Sequence, residues 1–183
     1  TTDSKGDWTF SISGLAVGSQ QFVARPLPTG EDSTPWVVQV LRQKLSITWD
    51  FSNSLQGWVP SGRYVGTFYF TNGMTFTYTD APGGFSGAVM SINVTVNAGS
   101  TYDLGFTATD VSVGGRFGTY LSLLANGART GTAVNLYQYY VWHTFSGVYT
   151  APDSGTITLM IWNDTDAGDG NDFGLRNIWI RER

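Results

Sequence analysis

The sequence predicts an all-β protein built mainly as a two-sheet antiparallel sandwich. Three observations carry the prediction. The first is composition: of 183 residues, 23 are Thr and only two are Lys, while 15% are aromatic and 13% charged. That bias suits pleated sheets better than helices. The second is alternation with period two, clearest in Tyr102-Asp103-Leu104-Gly105-Phe106-Thr107 and in Thr156–Trp162. The third is turn chemistry between the runs: Asn72-Gly73, Pro82-Gly83-Gly84, Asn97-Ala98-Gly99, Gly114-Gly115, Asn126-Gly127 and Asp153-Ser154-Gly155.

Taken in order, the elements begin with three strands in residues 1–44: Trp8–Leu15, Gln20–Leu27 and Trp36–Leu41. Three strands cannot close a sandwich, so this segment is expected to lean on the rest of the chain, on another chain, or on a missing N-terminal half. Residues 45–183 read as one continuous domain. Its strands are Leu45–Asp50, Tyr64–Thr71, Met74–Thr79, Ala88–Val96, Thr101–Thr109, Thr119–Ala125, Trp142–Thr150, Gly155–Trp162 and Leu175–Arg181. Alternation places Tyr102, Leu104, Phe106, Leu121, Leu123, Ile157, Leu159 and Ile161 in the core. Asp103, Thr107, Tyr120, Ser122, Thr158, Met160, Trp162 and Trp179 then face outward. An outward face bearing Tyr and Trp is expected to be covered by something.

Two resemblances refine this picture. Trp8-Thr9, Gly14-Leu15, Gly18, Phe22, Ala24-Arg25 and Pro35-Trp36 resemble the C-terminal half of a bacterial immunoglobulin-like repeat. That resemblance implies a repeat cut in two, from a stalk-like secreted or surface protein. Residues 45–183 resemble the jelly-roll carbohydrate-binding modules of bacterial glycoside hydrolases and surface proteins. The residues that carry it are Asp50-Phe51, Gly57-Trp58, the strand from Gly99 to Phe106, Leu121 to Gly127, Trp142 with Phe145, Tyr149 and Ala151, Gly155 to Ile161, and Arg176-Asn177-Ile178. The resemblance implies a jelly-roll sandwich that binds glycans without catalysis, as part of an extracellular or cell-surface protein. It departs at Arg176, where the family places an aspartate that often helps bind calcium; a guanidinium cannot ligate a cation.

Composition also excludes functions. The absence of Cys rules out disulfides and thiolate chemistry, and the single His143 rules out sites needing two histidines. A net charge of -4 with few bases argues against nucleic acid, which needs clustered Lys and Arg. No apolar run approaches the roughly 20 residues of a membrane helix. The acids lie mostly in predicted turns, which speaks against the paired carboxylates of a glycoside hydrolase.

The aromatics are the main lead, because sugar rings stack their C–H faces on Trp and Tyr while their hydroxyls seek polar side chains. The candidate ligand residues are Tyr120, Tyr137, Tyr139 and Trp162 for stacking, with Gln138, Asn93, Asp103 and Arg116 to orient hydroxyls. Trp58 and Trp142 fall on fold-motif positions and read as structural. The segment Trp162–Asp172 holds Asp164, Asp166, Asp169 and Asp172, which supply the hard oxygens that calcium wants; a solvated turn explains the same residues. The alternative to glycan binding is an assembly or adhesion domain whose aromatic face meets protein, with a homo-oligomer formed through the N-terminal strands.

Overall fold

The computed structural model describes residues 11–24, 30, 32, 34–71, 74–79, 84–112, 118–153, 155–168 and 170–183. The chain divides into two compact units, Thr1–Gln43 and Lys44–Arg183. In the first, β1 (Gly18–Phe22) runs antiparallel to β2 (Trp36–Val40), from Gly18 opposite Val40 to Phe22 opposite Trp36. The expected first strand is not found as such: residues 8–10 lie outside the described residues, and 11–15 are irregular.

The second unit is a two-sheet antiparallel sandwich. Its strands are β3 (Ser46–Trp49), β4 (Val59–Pro60), β5 (Phe68–Thr71), β6 (Met74–Thr77), β7 (Gly87–Val96), β8 (Thr101–Asp110), β9 (Thr119–Ala125), β10 (Ala128–Arg129), β11 (Val134–Leu136), β12 (Trp142–Thr150), β13 (Gly155–Asn163) and β14 (Phe173–Glu182). One sheet has the order β4-β7-β13-β9, with β10 and β11 both pairing the free side of β9. The other has the order β5-β6-β14-β8-β12, with β3 also pairing β14. The six long strands β7, β8, β9, β12, β13 and β14 alternate between the sheets along the chain, so neighbours within a sheet come from distant sequence.

Long strands form where the sequence alternates without interruption. The predicted bounds of β9 and β12 match the observed ones, and most others shift by one or two residues. Tyr64 is the main change: it ends a 3-10 turn (Gly62–Tyr64) rather than starting a strand, because Gly62 takes a positive φ of 54° there. Pro60 sits in the edge strand β4, where its missing N–H costs no ladder bond.

The core lies between the sheets. Tyr102, Leu104, Phe106, Leu121, Leu123, Ile157, Leu159 and Ile161 are all buried in it, as alternation predicts. Phe106 and Phe145 stack with centroids 5.0 Å apart, and Trp49 meets Trp58 edge-on at 5.4 Å. Burying each such side chain contributes roughly 1.5–3 kcal/mol. At one end of the sandwich a polar network replaces apolar packing. Asn163 Nδ2 donates to Tyr64 Oη (2.8 Å) and to Asn171 Oδ1 (3.2 Å), and Tyr64 Oη donates to the Phe85 carbonyl (2.7 Å). Asn171 Nδ2 donates to the carbonyls of Thr165 and Ala167. The loop before β14 is thereby fixed from inside.

The last strand is irregular at its centre. Within β14 the register against β8 shifts between Arg176 and Trp179, and Asn177 takes a φ of 51°. This bulge lets Arg176 and Trp179, three positions apart, both face away from the core.

Candidate functional site

The candidate residues fall in three places. Tyr120, Trp162 and Asn93 lie on the outer face of the sheet centred on β7 and β13. Tyr120 is 44% exposed and its hydroxyl accepts from Asn135 Nδ2 at 3.0 Å. Asn93 Oδ1 accepts from Thr158 Oγ1 at 2.9 Å, and Trp162 is half-buried beside Ser122 and Ala88. Asp103 sits on the outer face of the opposite sheet, held by Arg183 Nε and Nη2 at 2.9 and 2.6 Å. Tyr137, Gln138 and Tyr139 occupy the connection from β11 to β12. Arg116 lies outside the described residues. The described residues among them therefore lie in three separate places.

Two of the described carboxylates of the acidic loop have protein partners. Asp164 is bonded to Arg129 and accepts from Ser122 Oγ at 2.6 Å. Burial alone would raise its carboxyl, but the bonds from Arg129 and Ser122 and the guanidinium charge outweigh that and hold it below the usual carboxylate range. Asp172 Oδ1 accepts from Thr79 N and Oγ1 at 2.6 and 3.0 Å. Asp166 is exposed and Asp169 lies outside the described residues. Among the described residues no three His, Asp or Glu side chains group to hold a metal ion.

The structure instead assembles an aromatic row that alternation alone did not single out. In the sheet containing β14, registry aligns Tyr69 with Phe76, Phe76 with Gly174, Gly174 with Thr109, and Thr109 with Trp142. Residues aligned across an antiparallel sheet share a face. Their neighbours Phe173, Ala108 and Leu175 point into the core, so this row points out. At one end Tyr69 stacks on Phe76 at 5.4 Å, and Tyr78 closes on both at 6.0 and 5.2 Å. Tyr69 is 54% exposed and Tyr78 43%. At the other end the Arg176 guanidinium lies over the Trp142 ring, 3.8 Å from its centroid.

Between the two ends Gly174 and Thr109 are buried. A Cβ on Gly174 would meet Met74 Sδ at 3.2 Å and Thr109 Cγ2 at 3.4 Å, so the close packing there leaves no room for a larger residue. The next rows bring Thr107 and Thr144, then Gly105 with Trp179 folded across it. Trp142 is continuous with the loop that carries Tyr139 and Tyr140, whose rings meet edge-on at 4.6 Å. Tyr140 holds a φ of 56° while its N–H bonds the Asp110 carbonyl at 2.8 Å. The exposed rings of Tyr69 and Tyr78 at one end, the half-buried Trp142 at the other and the exposed Thr144 hydroxyl on the same face can stack a ligand and bond its hydroxyls. A cavity of about 280 Å³ beside the 3-10 turn, lined by Ser61, Arg63, Tyr64 and Phe85, offers less: Phe85 is buried and covered by Arg63 at 5.3 Å.

No protein-family model matches the chain, and no curated protein matches it in sequence. Solved structures do match in fold. The C-terminal domain of EclA, described as a sugar-binding protein, is 23% identical, with a TM-score of 0.54 over 65% of this chain and 86% of its own. The CBM22-1 xylan-binding domain of Paenibacillus barcinonensis Xyn10C is 14% identical, with a TM-score of 0.54 over 78% of this chain and 97% of its own. The CBM22-1–GH10 modules of Clostridium thermocellum Xyn10B, complexed with xylohexaose, are 18% identical, with a TM-score of 0.50 over 75% of this chain and 28% of that one. Two antiparallel sheets, their order and these likenesses together give the chain the jelly-roll fold of the carbohydrate-binding modules.

Proposed function

We propose that this chain is a non-catalytic carbohydrate-binding module of a larger extracellular or cell-surface protein, and that a polysaccharide lies along the outer face of the β14 sheet. The observation that carries the reading is that registry brings the rings of Tyr69 and Phe76 onto the same face as Trp142, at opposite ends of a row across five adjacent strands. Four inter-strand gaps of ~4.8 Å span about 19 Å, the reach of a short oligosaccharide. The names of the similar structures, a sugar-binding protein and a xylan-binding domain, support the same class of ligand. A shallow face buries little of its ligand, so affinity is modest and rests on stacking.

The test is affinity electrophoresis or calorimetry against soluble xylan, glucan and mannan, with and without calcium. Trp142→Ala and Tyr69→Ala should each weaken binding about tenfold or more, consistent with stacking losses of ~1.5 kcal/mol. The pair Trp162→Ala and Tyr120→Ala, on the opposite sheet, should leave it within twofold. The reverse pattern moves the site to the other face; calcium dependence brings the acidic loop into the mechanism.

The exposed Trp36, Val37 and Val38 of β2 favour a second reading for the N-terminal unit: self-association of the chain through these strands. Sedimentation of the whole chain against residues 44–183 tests it, a dimer only in the former being the expected result.

A further inference from the structure

The Arg176–Trp142 pair points beyond a neutral sugar. Resting on the binding face above, we propose that Arg176 makes that face selective for acidic polysaccharides, its guanidinium receiving a carboxylate or sulfate borne by a sugar seated beside Trp142. Arg176 is half-buried, lies 3.8 Å over the Trp142 ring, and makes no hydrogen bond or ion pair among the described residues. Its Nε–H is shielded from solvent and unpartnered. A partly buried guanidinium with no counter-ion is an uncompensated charge. The indole face compensates only in part and at the same time holds the planar fork in place. A fork fixed in this way matches the two oxygens of a carboxylate or sulfate, which a single hydroxyl does not.

The surroundings carry the same sign. The bulge at Asn177 keeps Arg176 in phase with Trp179 and Arg181, so two guanidiniums share the outer face of β14, with Arg183 just past its end bonded to Asp103 on the same face. The outer positions of β8 and β12 answer with one acid, Asp103, and Arg183 already holds it. In a chain of net charge -4, this is a local cationic stripe on the face that carries the aromatic row. Thr107 and Thr144, level with Arg176, add hydroxyls and no charge.

Matched polymers test the inference. Glucuronoxylan is compared with the same polymer after carboxyl reduction, and dextran sulfate with dextran, at 0.15 M salt. The intact chain should bind glucuronoxylan at least tenfold more tightly than its reduced form, or dextran sulfate at least tenfold more tightly than dextran; which pair responds tells uronate from sulfate ester. Arg176→Ala should abolish the preference, Arg176→Lys should retain part of it, and Arg129→Ala, on the opposite sheet, should leave it within twofold, with circular dichroism confirming each fold. Equal binding of the charged and neutral members of both pairs overturns the inference while leaving glycan binding intact. Equal loss in Arg129→Ala overturns it too, since net charge alone would then explain the preference. Failure of every polymer to bind overturns the binding face itself.

Discussion

Single residues in this sandwich respond to pH in opposite directions. Tyr64 is buried, and desolvation pushes its phenol up to about 12 despite the bond from Asn163. Its folded value lies above its unfolded one, so the stability it contributes is complete below about pH 10 and is lost as pH rises through 12. The loss approaches roughly 2–3 kcal/mol, at ~1.4 kcal/mol per unit. Tyr64→Phe should remove that alkaline loss and, by leaving the Phe85 carbonyl and Asn163 amide short of a partner, cost about 1–2 kcal/mol at neutral pH in urea unfolding. Asp110 behaves similarly at acid pH. Burial raises its carboxyl, the bonds from Ser112 oppose this, and the charge of Asp172 adds to the rise. Its contribution is therefore present below the ordinary carboxylate range and lost as pH climbs through the raised value. Asp110→Asn, which keeps an oxygen for the Ser112 N–H, should raise stability more at pH 7 than at pH 4. Asp164 is the opposite case: its stability is present above the ordinary range and lost as pH falls through its lowered value. Arg129 is half exposed, so Arg129→Ala should cost only ~0.5 kcal/mol.

At the scale of elements, glycines show where strands carry their neighbours' side chains. A Cβ on Gly105 would meet Trp179 Cζ2 at 2.1 Å and the Phe145 carbonyl at 2.7 Å. Gly105→Ala should displace Trp179 and destabilise by about 1–3 kcal/mol, seen as a lower urea midpoint and altered tryptophan fluorescence. The same scale explains what the sequence makes legible. Thr119–Ala125 and Trp142–Thr150 alternate over seven and nine residues and could be bounded directly. Val59–Pro60, Ala128–Arg129 and Val134–Leu136 span two or three residues, too few for any period to register. Outward-facing residues were also legible, Trp179 included. Which outward residues share a face was not, because Tyr120 and Asp103 alternate alike yet belong to different sheets. The row from Tyr69 to Trp142 depends on β14 lying between β6 and β8, a pairing across about a hundred residues that no local pattern encodes. Trp142 reads as structural because it sits where the fold motif expects a tryptophan; in the structure it is half-buried on edge strand β12, on the outer face under Arg176.

The whole molecule is two units, and the sandwich has the means to stand alone. Its core residues lie within Lys44–Arg183, whereas the described residues of the first unit pair as two strands, and an isolated two-stranded sheet is marginal in water. A chain of residues 44–183 should therefore unfold cooperatively with a melting temperature within about 3 °C of the full chain's, and residues 1–43 alone should show no cooperative transition. The alternation of long strands between sheets has a further consequence in time. β14 lies between β8 on one side and β6 and β3 on the other, so one sheet exists only as fragments until β14 arrives. β14 is also the last strand of the sandwich to be synthesised. The sandwich must then complete late and all at once, on the slow, millisecond-to-second side of folding, and the face that reads the ligand is finished by the same event that finishes the fold.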